Sequence, residues 1–258
     1  MSAARHIRSQ VLHHIDLDEI AAMERWYHQL HIPEIVRRYG PWQARFESYL
    51  PVPAPDAARQ FGLYNWRLTD GWWRELPKAG AQGTFCFTDP PVRPQVATCF
   101  IPWQPTEDFL GAEHQPREKN VLRWYLMLRY PDGVPAEAGE RWFLGTHVPE
   151  LLQQPGLVRA FSYRTVKAQV HLPGTWRAGS APPPGSFRRD WDRVIELWYE
   201  NFRDWRRAVL ETPPRYTAPA WATRPDWPYV QPGEDFASTF LLERPSDEFG
   251  RDSRIFVP

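Results

Sequence analysis

His31 and His147 each stand two residues before a proline and three before a glutamate, in His31-Ile32-Pro33-Glu34 and His147-Val148-Pro149-Glu150. An imidazole titrates near neutral pH and can serve as general acid or base with little tuning. If a helix runs through Pro33 and Pro149, the i, i+3 spacing puts Glu34 beside His31 and Glu150 beside His147. Each carboxylate could then orient its ring and stabilise the charged form. The structural alternative is that the motif caps or kinks a helix in both places. Arg45 with Tyr49, and Arg159 with Tyr163, are four residues apart, which strand alternation places on one sheet face. On the helix-facing side they would hold a carboxylate, phenolate or enolate oxygen. Otherwise the arginines are satisfied on the sheet surface. His13, His14 and His28 have no histidine counterparts in the second half, so the first half is richer in titratable nitrogen. His28, His31 and Glu34 have helical spacing for a metal ion but lack a metal-binding motif, and no metal is assigned. Trp26, Tyr27, Trp66 and Trp142 supply aromatic surface next to these groups.

The elements that must position these residues come in two matched sets. Glu24-Arg25-Trp26-Tyr27 through His31-Ile32-Pro33-Glu34 recurs as Glu140-Arg141-Trp142-Phe143 through His147-Val148-Pro149-Glu150. Arg45-Phe46-Glu47-Ser48-Tyr49 matches Arg159-Ala160-Phe161-Ser162-Tyr163. Ala97-Thr98-Cys99-Phe100-Ile101 matches Ala237-Ser238-Thr239-Phe240-Leu241, each followed by a proline, Pro105 or Pro245. A weaker match joins 63–76 to 197–210. Four matches in one order predict an internal duplication.

In the first half the periodicity predicts a strand over 7–14 and then a helix to about Tyr39. Asp16 and Glu19 form a candidate capping box at its start. Pro33 is expected to kink or interrupt the helix, because proline lacks the amide donor. Strands follow over 43–50 and 61–67, a short helix over 70–76 and a strand over 96–103. The second half gives strands over 121–130, 159–167, 192–198 and 236–243. Its helices are one ending at Pro155-Gly156 and one over 201–210. Each half reads β-α-β-β-α-β, the ferredoxin-like order, with an antiparallel sheet and both helices on one face. The expected division is a first unit over 1–105, a linker over 106–119 and a second unit over 120–258. Pro-rich insertions at 51–58, 172–186 and 213–232 read as ordered surface arms over the sheets or pocket mouths, because Trp176, Tyr216, Trp221, Trp227 and Tyr229 argue against simple disorder.

Composition narrows the function classes. The 258 residues hold 31 Lys+Arg and 31 Asp+Glu, for a formal net charge of zero. That balance removes the electrostatic case for nucleic acid. No apolar stretch approaches the ~20 residues needed to span a bilayer, and Met1–Gln10 has no apolar core of a signal peptide. Two cysteines, Cys86 and Cys99, are too few for a disulfide framework, so cytoplasmic residence with free thiols is the expectation. The sequence has no Gly-rich phosphate loop, Gly-x-Ser-x-Gly, His-Glu-x-x-His or Cys-x-x-Cys, against nucleotide-driven, serine-hydrolase and zinc-peptidase readings. With 14 Trp, the chain could wall an aromatic cavity or simply pack a core.

Two ferredoxin-like units, each with an aromatic pair before His-x-Pro on its first helix (Trp26, Tyr27, His31, Pro33; Trp142, Phe143, His147, Pro149), resemble the dimeric α+β barrel superfamily. The nearest resemblance is to its EthD-like members. It covers 7–50 and 121–167 best. It implies an α+β fold of two tandem β-α-β-β-α-β units packed sheet to sheet as an intrachain barrel, helices outside. Relatives of that kind include cofactor-free isomerases, lyases, cyclases and monooxygenases, and haem enzymes. The resemblance implies a cofactor-independent enzyme acting on a hydrophobic aromatic or polycyclic metabolite. His31 or His147 would be acid/base and Glu34 or Glu150 its orienting group. Arg45/Tyr49 or Arg159/Tyr163 would hold the oxyanion, and Trp26, Tyr27, His13, His14, His28, Trp66 and Trp142 would bind substrate. The alternatives are a monooxygenase, a haem enzyme with His31 or His147 as axial ligand, or a non-catalytic binder of an aromatic ligand. A small molecule is the expected partner, with no nucleic acid and no membrane; a homodimer is compatible.

Overall fold

A computed structural model describes residues 5–50, 52–62, 65–77, 88–92, 94–111, 121–167, 187–188, 190–225, 227–242 and 246–247. The strands are β1 (Arg5–His14), β2 (Gln43–Tyr49), β3 (Arg67–Glu75), β4 (Gln95–Pro102), β5 (Glu107–Asp108), β6 (Leu122–Leu128), β7 (Leu157–Arg164), β8 (Phe187–Arg188), β9 (Arg193–Tyr199), β10 (Phe236–Leu242) and β11 (Ser246–Asp247). They form two sheets, ordered β11-β2-β3-β1-β4-β8 and β10-β6-β9-β7-β5. Within each, the first strand of the unit is central and pairs antiparallel with the third and fourth. That order, 2-3-1-4 in both halves, is the ferredoxin-like one, and the predicted α+β class holds. The short β5, inside the stretch read as linker, extends the second sheet along β7.

The first helix follows the same plan in the two units, with a longer last segment in the first. In the first, α1 (Ile20–Trp26) passes through a π turn (Tyr27–His31) into α2 (Ile32–Tyr39). In the second, α3 (Ala136–Trp142) passes through a π turn (Phe143–His147) into α4 (Val148–Leu151). The helix does not end at Pro33; the expected irregularity takes the form of the π turn before it. Pro33 has no amide hydrogen, and in a regular helix its ring would strike the carbonyl four residues back. The π turn relieves this: the Ile32 amide donates to Tyr27 O and the Val148 amide to Phe143 O, five residues back. Thus His-x-Pro marks a π turn that re-aims His31 and His147, a device often found at functional sites. The capping box does not form; Asp16 makes no side-chain cap, and only its carbonyl accepts from the Glu19 amide.

Three expectations for the first unit are corrected. Residues 70–76 are not a helix; all but Leu76 lie in β3, with Leu68, Asp70 and Trp72 alternating against Arg67, Gly71 and Trp73. Among the described residues of 61–67, only Arg67 lies in a strand, as the first residue of β3. Asp56–Phe61 forms a 3-10 turn ended by Gly62 at φ +61, and Phe61 packs among Trp124, Trp205 and Trp227 of the second unit. Third, Arg45, Tyr49, Arg159 and Tyr163 do not face the helices. A bulge between Gln43 and Arg45 sets β2 so that Phe46 faces the helices and Tyr49 faces the other sheet. Tyr163 does the same on β7, which has a bulge between Leu157 and Arg159. The second unit keeps its second helix, α5 (Phe202–Arg206), capped by Asn201 accepting from the Asp204 amide and continued by a π turn (Arg207–Glu211). Among the described residues β3 and β4 have no helix between them.

The two sheets pack face to face. Leu12, Leu68, Cys99, Met127, Val194 and Leu241 meet between them with Tyr49 and Tyr163. The edges join as well: the Val52 amide donates to Phe240 O and the Val166 amide to Phe100 O, as barrel closure requires. Buried charges cross this interface in matched pairs. Arg8 binds Asp70 at 2.5–3.2 Å and donates to the Tyr163 hydroxyl of the opposite sheet at 3.3 Å. Arg123 binds Glu196 at 2.6 Å and donates to the Tyr49 hydroxyl at 3.5 Å. Each unit's arginine reaches the other unit's tyrosine, the reciprocal pattern of an isologous contact. Gln10 links the two halves, donating to Asp70 at 2.5 Å and accepting from Tyr125 at 2.9 Å. Cys99 is free and buried there, its thiol pushed up by burial. Cys86 lies outside the described residues. Among the described residues no helix is long and apolar enough to cross a membrane.

Candidate functional site

The predicted histidines and aromatic residues separate into two clusters between helix and sheet, one per unit. In the first, Trp26 stacks on His31 with centroids 4.4 Å apart. His31 lies 5.9 Å from Tyr27, Tyr27 lies 5.5 Å from Trp66, and His13 meets the Trp66 edge at 4.8 Å. The helix and strands thus bring His13, Trp26, Tyr27, His31 and Trp66 together. Burial pushes His31 down to about 3. Burial, and then the neighbouring His31, push His13 to about 3 as well. A hydrogen bond between the His13 ring and the Arg67 backbone opposes that shift, while His13 Nδ1 is buried without a partner among the described residues. His14 is lowered by burial, opposed by Asp16 and Asn65.

Beneath these rings lies a set of polar residues that occurs twice. Arg67 donates to Glu24 at 2.6–2.7 Å and to Ser48 Oγ at 2.5 Å, with its guanidinium 4.3 Å over Tyr27. Arg193 donates to Glu140 at 2.5–2.9 Å and to Ser162 Oγ at 2.9 Å, 5.0 Å over Phe143. In the first unit Glu24 also accepts from Trp66 Nε1 at 2.6 Å and meets His28 Nε2 at 3.1 Å. Burial alone would raise the Glu24 carboxyl, but the bonds from His28, Arg67 and Trp66 hold it at about 2. The sequence reading missed this set. Its signal was present, since Glu24/Glu140 and Ser48/Ser162 occupy matched positions in the repeated segments.

Glu34 and Glu150 do not serve as orienting groups in the way their spacing suggests. Glu34 accepts from the Thr88 amide at 3.1–3.2 Å and from Thr88 Oγ1 at 2.5 Å, while Trp26 Nε1 donates to Thr88 O at 3.1 Å. Glu150 accepts from the Thr217 amide at 2.9 Å. Each carboxylate therefore ties the chain that follows the third strand of its unit onto the helix. With His28 engaged by Glu24 and Glu34 by Thr88, those groups do not converge on a metal. Among the described residues no group of three or more His, Cys, Asp or Glu could hold one. Arg45 pairs with Glu47, and Arg159 with Asp108 at 3.3 Å, both away from the helix side.

The second unit differs in what covers its histidine. His147 stacks on Trp142 at 4.8 Å and touches Phe143, Tyr216 and Trp227 at 5.5–6.1 Å. It is 1% exposed, its Nδ1 has no partner among the described residues, and burial pushes it to about 3. The Pro-rich stretch read as a surface arm supplies Tyr216 and Trp227. Trp227 packs flat on Trp124 at 5.0 Å in the core formed with Trp205, Phe236 and Phe240. His31 is only half-buried. The strand register also fixes the counterpart of His13. His13 pairs with Arg67 and Leu128 pairs with Arg193, so Leu128 stands where the first unit has His13.

The three histidines whose values desolvation lowers, His13, His31 and His147, make the fold acid-sensitive. Their folded values, near 3, lie below the unfolded value of about 6.5, so the unfolded chain binds more protons between the two. Stability is full above pH ~6.5 and falls as pH drops toward ~3, each histidine contributing on the order of several kcal/mol at most. Denaturant melts across this range should show the loss beginning near pH 6; a midpoint unchanged down to pH 4 would contradict the burial.

A family model described as the chalcone isomerase N-terminal domain matches residues 4–88, the first unit. No curated protein sequence matches the chain. Among solved structures the chain is similar to an anthrone oxidase-like protein, at 10% identity and TM-score 0.44, covering 95% of this chain and 94% of that one. It is also similar to a mutant chlorite dismutase from Candidatus Nitrospira defluvii in complex with cyanide, at 11% identity and TM-score 0.42, covering 97% and 95%. A likeness of this degree says nothing about chemistry.

Proposed function

We propose that the helix–sheet space of the first unit receives a hydrophobic aromatic small molecule, and that His31 acts there as acid/base in a lyase- or isomerase-type reaction without a resident cofactor. The observation that carries this reading is the contrast between the two histidines. His31 is half-buried beside His13, whereas its counterpart His147 is sealed under Tyr216 and Trp227. Trp26, Tyr27 and Trp66 wall the site, and the Glu24–Arg67–Ser48 set fixes the helix to the sheet beneath it. Arg45, Tyr49, Arg159 and Tyr163 take no part, being on the other face. We also read the two units as an internal duplication of an EthD-like His-x-Pro helix; the twice-occurring Arg–Glu–Ser set supports this.

A neutral imidazole can take a proton from carbon or hydroxyl and return it elsewhere on the same molecule, which needs no oxidant. With a value near 3 it is a weak base in the free protein. Negative charge developing on a substrate oxygen beside it raises that value, so a phenol or a ketone that can enolise suits the site. The family match over residues 4–88, named for an isomerase, falls on this unit and favours an isomerase outcome. Haem does not fit at His147, whose ring has aromatic side chains around it and is 1% exposed. A Soret band in the purified protein would count for haem at His31 and against this proposal.

The test is proton exchange. The protein is incubated in deuterium oxide with a panel of aryl ketones and phenols, followed by NMR. Deuterium should enter at least one compound faster than in buffer. Compounds that bind without any exchange or rearrangement would replace the enzyme reading with a binding protein.

A further inference from the structure

The hydrogen bonds around Thr88 lead from Glu34 to the ring that lies on His31. The Glu34 carboxylate accepts from the Thr88 amide at 3.1–3.2 Å and from Thr88 Oγ1 at 2.5 Å. These bonds fix Thr88 on the helix, and with it the carbonyl that accepts from Trp26 Nε1 at 3.1 Å. Trp26 in turn stacks on His31, with centroids 4.4 Å apart and planes 20° from parallel. An indole has a single donor in the plane of its ring, so this bond sets the plane of the ring as well as its place.

The second unit keeps the tie and omits the link to the indole. The Glu150 carboxylate accepts from the Thr217 amide at 2.9 Å. Trp142, which stacks on His147 at 4.8 Å, has an Nε1 without a partner among the described residues, and Trp221 packs edge-on against its ring at 5.2 Å. Tying the return segment to the helix therefore does not require the indole bond. The sealed histidine has a tryptophan held by packing. The half-buried one has a tryptophan held by a hydrogen bond that leads back to a carboxylate. We propose that Glu34 is a positioning residue for His31, acting through Thr88 and Trp26: it keeps the indole face parallel to the imidazole, where that face attracts the cation formed when the ring takes a proton. This rests on the reading of His31 as acid/base and adds a residue that supports it from a distance.

The test compares Glu34→Ala with Glu150→Ala, which breaks the corresponding tie in the second unit. The first readout is the NMR signal of the His31 ring protons, assigned by its loss in His31→Ala. In wild type the indole face shields these protons. Glu34→Ala should move them downfield, toward their place in Trp26→Leu, and Glu150→Ala should not move them. The second readout is the deuterium exchange described above. Glu34→Ala should lower the rate at saturating compound by about tenfold, the worth of one desolvated indole–cation contact, with the half-saturating concentration within about twofold. Thr88→Val, which loses only the hydroxyl, should fall between, and Thr88→Ser should stay near wild type. Glu150→Ala should keep the wild-type rate. A tie that only packs would lower the stability of both alanine variants and leave shift and rate alone. Unmoved His31 protons or an unchanged rate in Glu34→Ala overturns the positioning role and leaves the acid/base reading standing. A wild type that exchanges none of the compounds removes that reading and this role with it, whatever the shift does.

Discussion

Asp70→Ala is expected to destabilise the protein by about 3–5 kcal/mol in equilibrium denaturation, a large part of the ~5–15 kcal/mol of a typical domain. Asp70 is fully buried between the sheets and takes three hydrogen bonds from Arg8 and one from Gln10. Removing it leaves a guanidinium in the barrel interior, 4.3 Å from the Trp72 ring, with the Tyr163 hydroxyl as its remaining side-chain hydrogen-bond partner among the described residues. The cost comes from the stranded charge, so Arg8→Met in the same chain should recover most of it. Glu196→Ala should behave alike, because Arg123 would be stranded beside Tyr49. If Asp70→Ala costs under about 1 kcal/mol, the two sheets do not seal this pair between them.

The second large effect separates the two histidines. His31→Ala should slow deuterium entry or turnover by roughly 10²–10⁴-fold, the usual contribution of a positioned acid/base, with a small change in stability. His147→Ala should leave the rate within a few-fold and instead cost roughly 2–4 kcal/mol, as when a buried ring is emptied from a packed core. Loss of activity in His147→Ala with the fold intact would assign the chemistry to the wrong unit.

Much of this was legible in the sequence. The strands predicted over 7–14, 43–50 and 121–130 and the first helix of each unit followed from periodicity. The repeated segments also aligned residues that prove to be spatial equivalents: Glu24 with Glu140, Ser48 with Ser162, Trp26 with Trp142. Three features were not legible, each for a physical reason. Aligning 63–76 with 197–210 put a helix on a segment whose alternation, Leu68-Asp70-Trp72 against Arg67-Gly71-Trp73, is that of a strand. Alternation showed that Arg45 and Tyr49 share a face, but the bulge beside Arg45 and the packing of two sheets decide which face. The closure of the second site depends on Tyr216 and Trp227, which reach His147 from a Pro-rich stretch about 70 residues further along the chain. No local pattern encodes that return. The π turns were half-legible: His-x-Pro announced a backbone irregularity, and only the five-residue hydrogen bonds reveal that it bends the helix without ending it.

The central claim is that the first unit holds the working site and the second is its filled counterpart. A crystal structure of the protein soaked with 2-naphthol tests it most directly. The account predicts ring density against Trp26, Tyr27 and Trp66, next to His31, and an undisturbed Tyr216–Trp227 cover over His147. Density beside His147 with that cover displaced, or density between the two sheets, would contradict it.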